Sequence, residues 1–526
     1  MSGNLFKSLA TVSGMTMISR VLGFARQILI AGVIGAGGNP VADAFWAAFR
    51  LPNMFRRLFA EGAFHAAFIP MFQGKQVSEG DAAAKRFAEE VLASLVFILT
   101  LLTALVEIAA PLFVYLLASG FENEPAKFDL ATLYTRIMFP YLIMMSLVGL
   151  ISGILNSLGR FAVAAAAPLA LNICLIAAIL LYANAETEIT GQAASWAVFA
   201  GGLVQLAMLV IGAARQGYLL RLRLPKLTPD VKRLFALGAP GFISAGAVQI
   251  NLIIGTNIAS REPGAVSWLM NADQLYQLPL AIIGIALGVV LLPMLSRRVK
   301  EGDEVGAARA INRSLELSAL LCFPAAVAFV IMGAPICDAL FRGVASDALS
   351  FFGARQSAFT EHDVAMTGAA LAIFGLGLPA FVWHKIFSPA FFAREDTKTP
   401  MHYALVAIGL NTVLALALFP KLGFISVPIA TAIAAWVQVG LLAQKLYRRR
   451  QFQPGGRLGE RLVRIIAATG GLAVMLHFSL PYTDELAAML WGRDWIAIIF
   501  ISGAGAISYG ILAFVLGAAR PSDYKP

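Results

Sequence analysis

Apolar runs long enough to cross a bilayer recur from one end of this 526-residue chain to the other, with no polar stretch between them long enough to fold as a soluble domain. A spanning helix needs about 20 apolar residues, and in lipid every backbone polar group must be satisfied inside a helix or a closed barrel. Composition agrees: 59% of residues are hydrophobic and 13% charged, against about a quarter charged in a soluble domain. The short alternating segments of a transmembrane β-barrel are absent. The chain reads as an all-α polytopic membrane protein with about fourteen transmembrane helices. The expected spans are 8–37, 41–74, 86–118, 131–157, 162–183, 193–214, 231–259, 265–296, 309–336, 364–392, 400–419, 424–446, 462–480 and 494–518.

Loop charge sets the orientation. One side holds Lys75, Lys85 and Arg86, then 215–233, 297–313 and 445–464, and with Lys7, Arg160, Arg394, Lys398, Arg520 and Lys525 it collects about 27 of the 40 basic residues. The other side includes acidic stretches such as FENEPAKFD and NAETEIT. Because basic loops stay in the cytoplasm, both termini are expected there. The first apolar stretch is interrupted by Arg20 and Arg26, so it reads as a retained helix rather than a signal peptide. The net charge of +10 is spread over short loops, which argues against nucleic acid as a partner. Cys174, Cys322 and Cys337 lie in apolar stretches without metal-ligand spacing and read as core filler.

Two segments share landmarks in the same order. DAFWAAFRLP…FIPMFQGKQVSEGD at 43–81 and DQLYQLP…LLPMLSRRVKEGD at 273–303 each run from Asp through Leu-Pro and Pro-Met to a basic loop ending in Glu-Gly-Asp. They lie six spans apart and so share an orientation. That predicts two parallel six-helix lobes, 1–220 and 221–450, followed by two further helices in 451–526. Parallel repeats of this kind suit a transporter whose central cavity opens alternately to each side. The last two helices are expected to form a groove for a lipid tail.

Ionisable residues at membrane depth are costly and mark a pathway or an internal pair. Here they gather in the first two spans. At 100° per residue, Asp43, Arg50, Arg57 and Glu61 fall within about 40° of one another, and Arg57 and Glu61 are an i,i+4 pair. This stripe reads first as a self-neutralised network, with Pro52 able to disturb its register. Arg56 lies roughly 100° off the stripe and has no acidic residue three or four positions away. The same holds for Arg20 and Arg26 in their own segment. These three guanidiniums want an anion, and the planar Arg fork suits phosphate. Asp273 and Lys385 are deep charges of the second lobe, and Lys385 can also snorkel to the surface. His65 reads as a satisfied interior histidine rather than a proton relay. No HExxH, GxSxG or Walker loop is present, so hydrolysis and ATP drive find no support and no cofactor or metal is expected.

Five stretches in order carry a resemblance over essentially the whole chain: SGMTMISRVLGFAR at 13–26, DAFWAAFRLPNMFRRLFAEGAFHAAFIP at 43–70, SWLMNAD at 267–273, LGVVLLPMLS at 287–296 and FFAREDTKTP at 391–400. With them the chain resembles the MurJ (MviN) family of lipid II flippases, within the multidrug/oligosaccharidyl-lipid/polysaccharide exporter superfamily. The resemblance implies two six-helix lobes around a cationic cavity, in the bacterial cytoplasmic membrane. It implies lipid II as substrate, an undecaprenyl-pyrophosphoryl disaccharide-pentapeptide carried to the periplasmic leaflet for peptidoglycan synthesis. Membrane lipids and the cell-wall synthesis machinery are the implied partners. The family's essential cavity arginines fall on Arg20, Arg26 and Arg56; Asp43, Glu61 and Lys385 also match positions the family uses. Two departures stand out. Gln274 and Gln277 occupy positions where the family often has an Arg and a Glu, and no carboxylate stands where some relatives bind sodium.

The nearest rival is an exporter of another lipid-linked sugar. A cationic drug fits poorly in an Arg-rich cavity. A membrane glycosyltransferase or phosphatase would need clustered acidic, metal-binding or nucleophilic residues, and a scaffold would need a large soluble docking domain. Neither pattern is found.

Overall fold

The computed structural model describes residues 2–59 and 63–519, with side chains at all of these except 2–11, 13, 57–59, 63, 66, 240–245, 247, 248 and 285–290. Every regular element among them is helical. Two compact units emerge, Met1–Val266 with Ala345–Ala358, and Ser267–Val344 with Phe359–Pro526. The first holds α1 (Ser2–Ile34), α2 (Pro40–Phe59), α3 (Ala63–Glu79), α4 (Asp81–Ile108), α5 (Ala110–Leu117), α6 (Pro125–Met138), α7 (Tyr141–Ser157), α8 (Phe161–Leu181), α9 (Thr187–Ala214) and α10 (Pro229–Ala259). Next come α11 (Ala265–Lys300) and α12 (Glu304–Cys337) of the second unit, then α13 (Ala345–Phe351), which belongs to the first. The second unit continues with α14 (Glu361–Phe392), α15 (Lys398–Leu422), α16 (Ser426–Arg448), α17 (Gly456–Ser479), α18 (Thr483–Met489) and α19 (Asp494–Val515).

Ten stretches among the described residues are long and apolar enough to cross a membrane, against the fourteen expected. One of them, Lys398–Arg448, contains two helices, α15 and α16. The remaining difference lies at 41–74, 231–259 and 265–296. Helices α2, α3, α10 and α11 are present there but do not count among the ten. In α2 the reason is plain: Asp43, Arg50, Arg56 and Arg57 all fall within its 20 residues.

The helices start and stop where local chemistry tells them to. Thr360 and Asp363 form a reciprocal capping box at the head of α14, satisfying two amide groups that a helix start leaves open. Thr228 caps α10 ahead of Pro229, whose missing N–H costs nothing in the first turn. In the FFAREDTKTP stretch, Asp396 accepts the Thr399 amide at 2.9 Å and Arg449 at 2.6 Å, tying the α14–α15 turn to the end of α16. Burial would raise the Asp396 carboxyl; these bonds outweigh it and hold the group down at about 2.

Packing follows membrane rules. Leu101, Leu105 and Ile108 of α4 and Ile507, Ile511 and Phe514 of α19 are exposed, as a lipid-facing surface requires. Since lipid is as apolar as leucine, helices associate through close approach of small residues and buried polar bonds. In the second unit α12 and α14 meet at Gly333 and Gly368. A Cβ on Gly368 would lie 2.6 Å from the Ala334 backbone, and one on Gly333 would lie 2.6 Å from the Gly368 carbonyl oxygen. In the first unit Gly191 of α9 leaves room for Val41 and the Tyr134 hydroxyl. The helix α17 is fastened to α12 by Arg461 and Glu316, both buried and 3.3 Å apart.

Gly368→Ala is therefore expected to lower thermal stability in detergent by about 1–3 kcal/mol, through overpacking against backbone that cannot move aside. Gly409→Ala in α15, with open space around it, should be neutral or stabilising, because alanine is the better helix former by about 1 kcal/mol. Equal melting of the two variants would sink the close-packing account.

Candidate functional site

Of the charges singled out in the sequence, Arg20, Arg26, Asp43, Arg50 and Arg56 belong to the first unit, Asp273 and Lys385 to the second. The side chain of Arg57 and all of Glu61 lie outside the described residues, and with them the expected Arg57–Glu61 pair.

The two described charges of the α2 stripe both reach other helices. Asp43, in the first turn of α2, is fully buried. Its Oδ2 accepts the Gly264 amide at 2.7 Å and faces the Lys127 ammonium at 3.4 Å. Lys127 is itself 2% exposed, bonds Glu124 at 2.9 Å, and sits over the Phe121 ring. In the sequence Lys127 reads as a loop cation within FENEPAKFD. In the fold, Pro125 starts α6 and folds that cation back onto α2. Arg50 donates to the Thr256 hydroxyl of α10, which in turn donates to the Leu252 carbonyl at 2.7 Å. Helix α2 runs through Pro52. Next to it the Asn53 amide donates to Phe49 O at 2.8 Å, while its oxygen accepts Arg56 Nε at 3.2 Å. Arg56 is half-buried.

On α1, Arg20 is exposed and Arg26 half-buried. Arg26 Nη1 donates to Asn172 Oδ1 on α8 at 2.9 Å, and the same Asn172 amide donates to the Ser19 carbonyl at 3.0 Å. One asparagine thus clasps two turns of α1. Gly23 lies beside it, where an added Cβ would make ordinary van der Waals contact with the Asn172 amide. Arg26 Nε is buried with no hydrogen-bond partner among the described residues. Such an orphan donor costs about 1–3 kcal/mol unless something fills it. His65 Nε2 lies 2.9 Å from the Gly149 carbonyl of α7, in line with a satisfied interior histidine.

In the second unit Asp273 accepts a hydrogen bond from Gln277, one turn along α11. The departure from the family pattern thus supplies a neutral partner for the aspartate. Lys385 of α14 crosses to α11 at Gly284, where an added Cβ would stand 2.6 Å from its Nζ. No group of three or more His, Cys, Asp or Glu able to hold a metal occurs among the described residues. Sequence reasoning missed Lys127, Asn172, Thr256 and Gly284. Asn172 closes the apolar stretch PLALN at 168–172, and nothing along that one helix points to a partner on another.

Replacing Lys127 with Met breaks its buried pair with Asp43 and is expected to cost about 3–5 kcal/mol. Adding Asp43→Asn should recover a large part of that loss. A double-mutant cycle read by thermal melting in detergent checks it, and additive losses would refute the pairing.

The relatives agree with one another. Residues 30–489 match the family model described as "Lipid II flippase MurJ". A "Probable lipid II flippase MurJ" of Rhizobium tropici is 42% identical over 521 residues, covering 98% of this chain and 95% of the relative. That of Rhizobium meliloti is 43% identical over 525 residues, covering 99% and 95%. In fold the chain resembles a solved "Lipid II flippase MurJ, inward closed conformation", with TM-score 0.75, 22% identity, and coverage of 96% of this chain and 98% of that one. It also resembles an inward-facing multidrug resistance transporter of the MATE family, with TM-score 0.65 and 15% identity over 84% of this chain. With a family model spanning most of its length and relatives above 40% identity end to end, this multi-pass membrane chain belongs to the MurJ family of lipid II flippases.

Proposed function

We propose that this protein carries lipid II from the cytoplasmic to the periplasmic leaflet of the bacterial inner membrane by alternating access, with both termini in the cytoplasm. It is a transporter and not an enzyme. Family membership supports the substrate, and the asymmetry of loop charge supports the orientation. The observation that carries the reading is Arg26. Its guanidinium is steadied by a neutral amide, Asn172, and keeps a buried N–H unused. A carboxylate there would have cancelled the charge; an amide fixes the fork and leaves it positive. That is the arrangement expected of a phosphate ligand. We assign Arg20, Arg26 and Arg56 to the pyrophosphate, and Asp43, Arg50, Arg57 and Glu61 to structure. Asp273 and Lys385 we assign to the charge network of the second unit. The lobes at 1–220 and 221–450, the tail groove in 451–526 and an association with cell-wall synthesis enzymes belong to the same reading.

Arg56→Ala and Arg26→Lys are expected to abolish or severely reduce lipid II translocation in proteoliposomes while leaving insertion and melting near wild type. Lysine keeps the charge but loses the bidentate fork. Normal flipping by both variants would overturn the assignment. Competition by other polyprenyl-linked sugars, binding as tightly as lipid II, would favour the rival substrate.

Gly284→Ala offers a gentler probe of Lys385. The clashing atoms are the flexible end of a side chain, so the ammonium must move while the backbone stays. Flipping should fall with melting unchanged. A variant as active as wild type would remove Lys385 from the transport path.

A further inference from the structure

Between α9 and α10 the chain reads YLLRLRLPKLT, Tyr218–Thr228, leucines interleaved with cations, and only at Thr228 does the capping of α10 begin. Leu219, Leu222, Leu224 and Leu227 are each more than half exposed, Leu224 at 81%. One exposed leucine is ordinary; four in so short a stretch call for a covering medium.

The segment is not a loose linker, because α4 holds it along its length. Buried Glu89 accepts the Arg221 amide at 3.1 Å and Arg223 Nε at 2.5 Å. Glu90 accepts the Thr228 hydroxyl at 2.9 Å, and buried Tyr218 donates to Asp81 at 2.8 Å. Lys85 adds a bond to the Gly217 carbonyl at 3.1 Å. These anchors fix the height of the strap. Glu89 and Glu90 directly precede the uncharged, mostly apolar run Val91–Val106 of α4, which lies in a stretch fit to span the membrane. A strap fastened there sits where the helix passes from headgroups to hydrocarbon. At that level exposed leucines meet acyl chains, and cations meet lipid phosphate.

We propose that Tyr218–Thr228 is a membrane-surface anchor. It seats Leu222, Leu224 and Leu227 at the headgroup–acyl boundary of the adjoining leaflet and binds anionic phospholipid through Arg221 and Lys226. Arg223 is engaged by Glu89 and serves instead as the clasp. The occupant is lipid and not a soluble protein, because the strap's fastening places its leucines against the bilayer edge and its exposed charges are cationic. The anchor does not depend on which substrate is carried.

The test uses the full-length protein with Cys174, Cys322 and Cys337 replaced by Ala, and nitroxide labels on Leu222→Cys or Leu224→Cys. Labels on Ile108→Cys and Glu301→Cys serve as lipid-facing and water-facing references. Accessibility to oxygen and to a water-soluble nickel chelate is read in nanodiscs of phosphatidylcholine, with and without phosphatidylglycerol. Both strap labels should resemble the Ile108 reference, more strongly in the anionic discs. Arg221→Ser with Lys226→Ser should abolish the difference between the two lipids. Labels as open to nickel as the Glu301 reference, in either disc, would overturn the anchor and leave a soluble protein as the strap's partner. A signal indifferent to phosphatidylglycerol in the otherwise unaltered strap would overturn the anionic-lipid site.

Discussion

A charge placed at membrane depth must be neutralised, hydrogen-bonded or put to use, and the buried polar contacts of this protein follow from that constraint. The solutions differ from place to place. Asp43 and Glu316 each face a cation that is itself buried, Lys127 and Arg461, whereas buried Asp363 is held by the neutral Trp268 indole and the Thr360 hydroxyl. Such pairs are weak sources of net stability but heavy losses when broken. They behave as registers, fixing α2 against α6 and α12 against α17. The α1 arginine is treated otherwise: Arg26 bonds a neutral amide, Asn172.

This division rests on how closely the helices approach. An amide as short as Asn172 can hold Arg26 and the Ser19 carbonyl together because α1 and α8 lie close. Lys385 can cross to α11 only because Gly284 has no side chain. Small residues serve both packing and chemistry here. In α12 and α14 they let backbones touch; at Gly284 the missing side chain makes room for a polar group. A charge-changing site in such a bundle is thus written partly in residues that carry no charge.

Much of this was legible in the sequence and some was not. Apolar runs of spanning length disclosed the all-helical membrane fold because lipid leaves the backbone no alternative. Helical angles separated Arg56 from the Asp43–Arg50 stripe, and in the structure the two go different ways, Arg56 to Asn53 on its own helix and Arg50 to α10. Partners were not legible. Lys127 lies 84 residues from Asp43 and Asn172 lies 146 from Arg26, and angular reasoning along one helix cannot see across to another. The polar look of FENEPAKFD concealed a helix start, since Pro125 opens α6 inside what reads as loop.

The second unit sharpens the same logic. Where the family often sets an Arg and a Glu, this chain has Gln274 and Gln277, and Gln277 bonds Asp273 within α11. An Arg–Glu pair adds no net charge, but it places a cation and an anion at distinct points, and either could meet a substrate. Two amides remove that local dipole and give Asp273 a hydrogen-bond partner on its own helix. Lys385 is the one cation of the second unit singled out at membrane depth, and it reaches α11 from a different helix. On the proposed assignment of Arg20, Arg26 and Arg56 to the anion, a chain without that extra arginine makes the neutral clasp of Asn172 on Arg26 the more consequential contact.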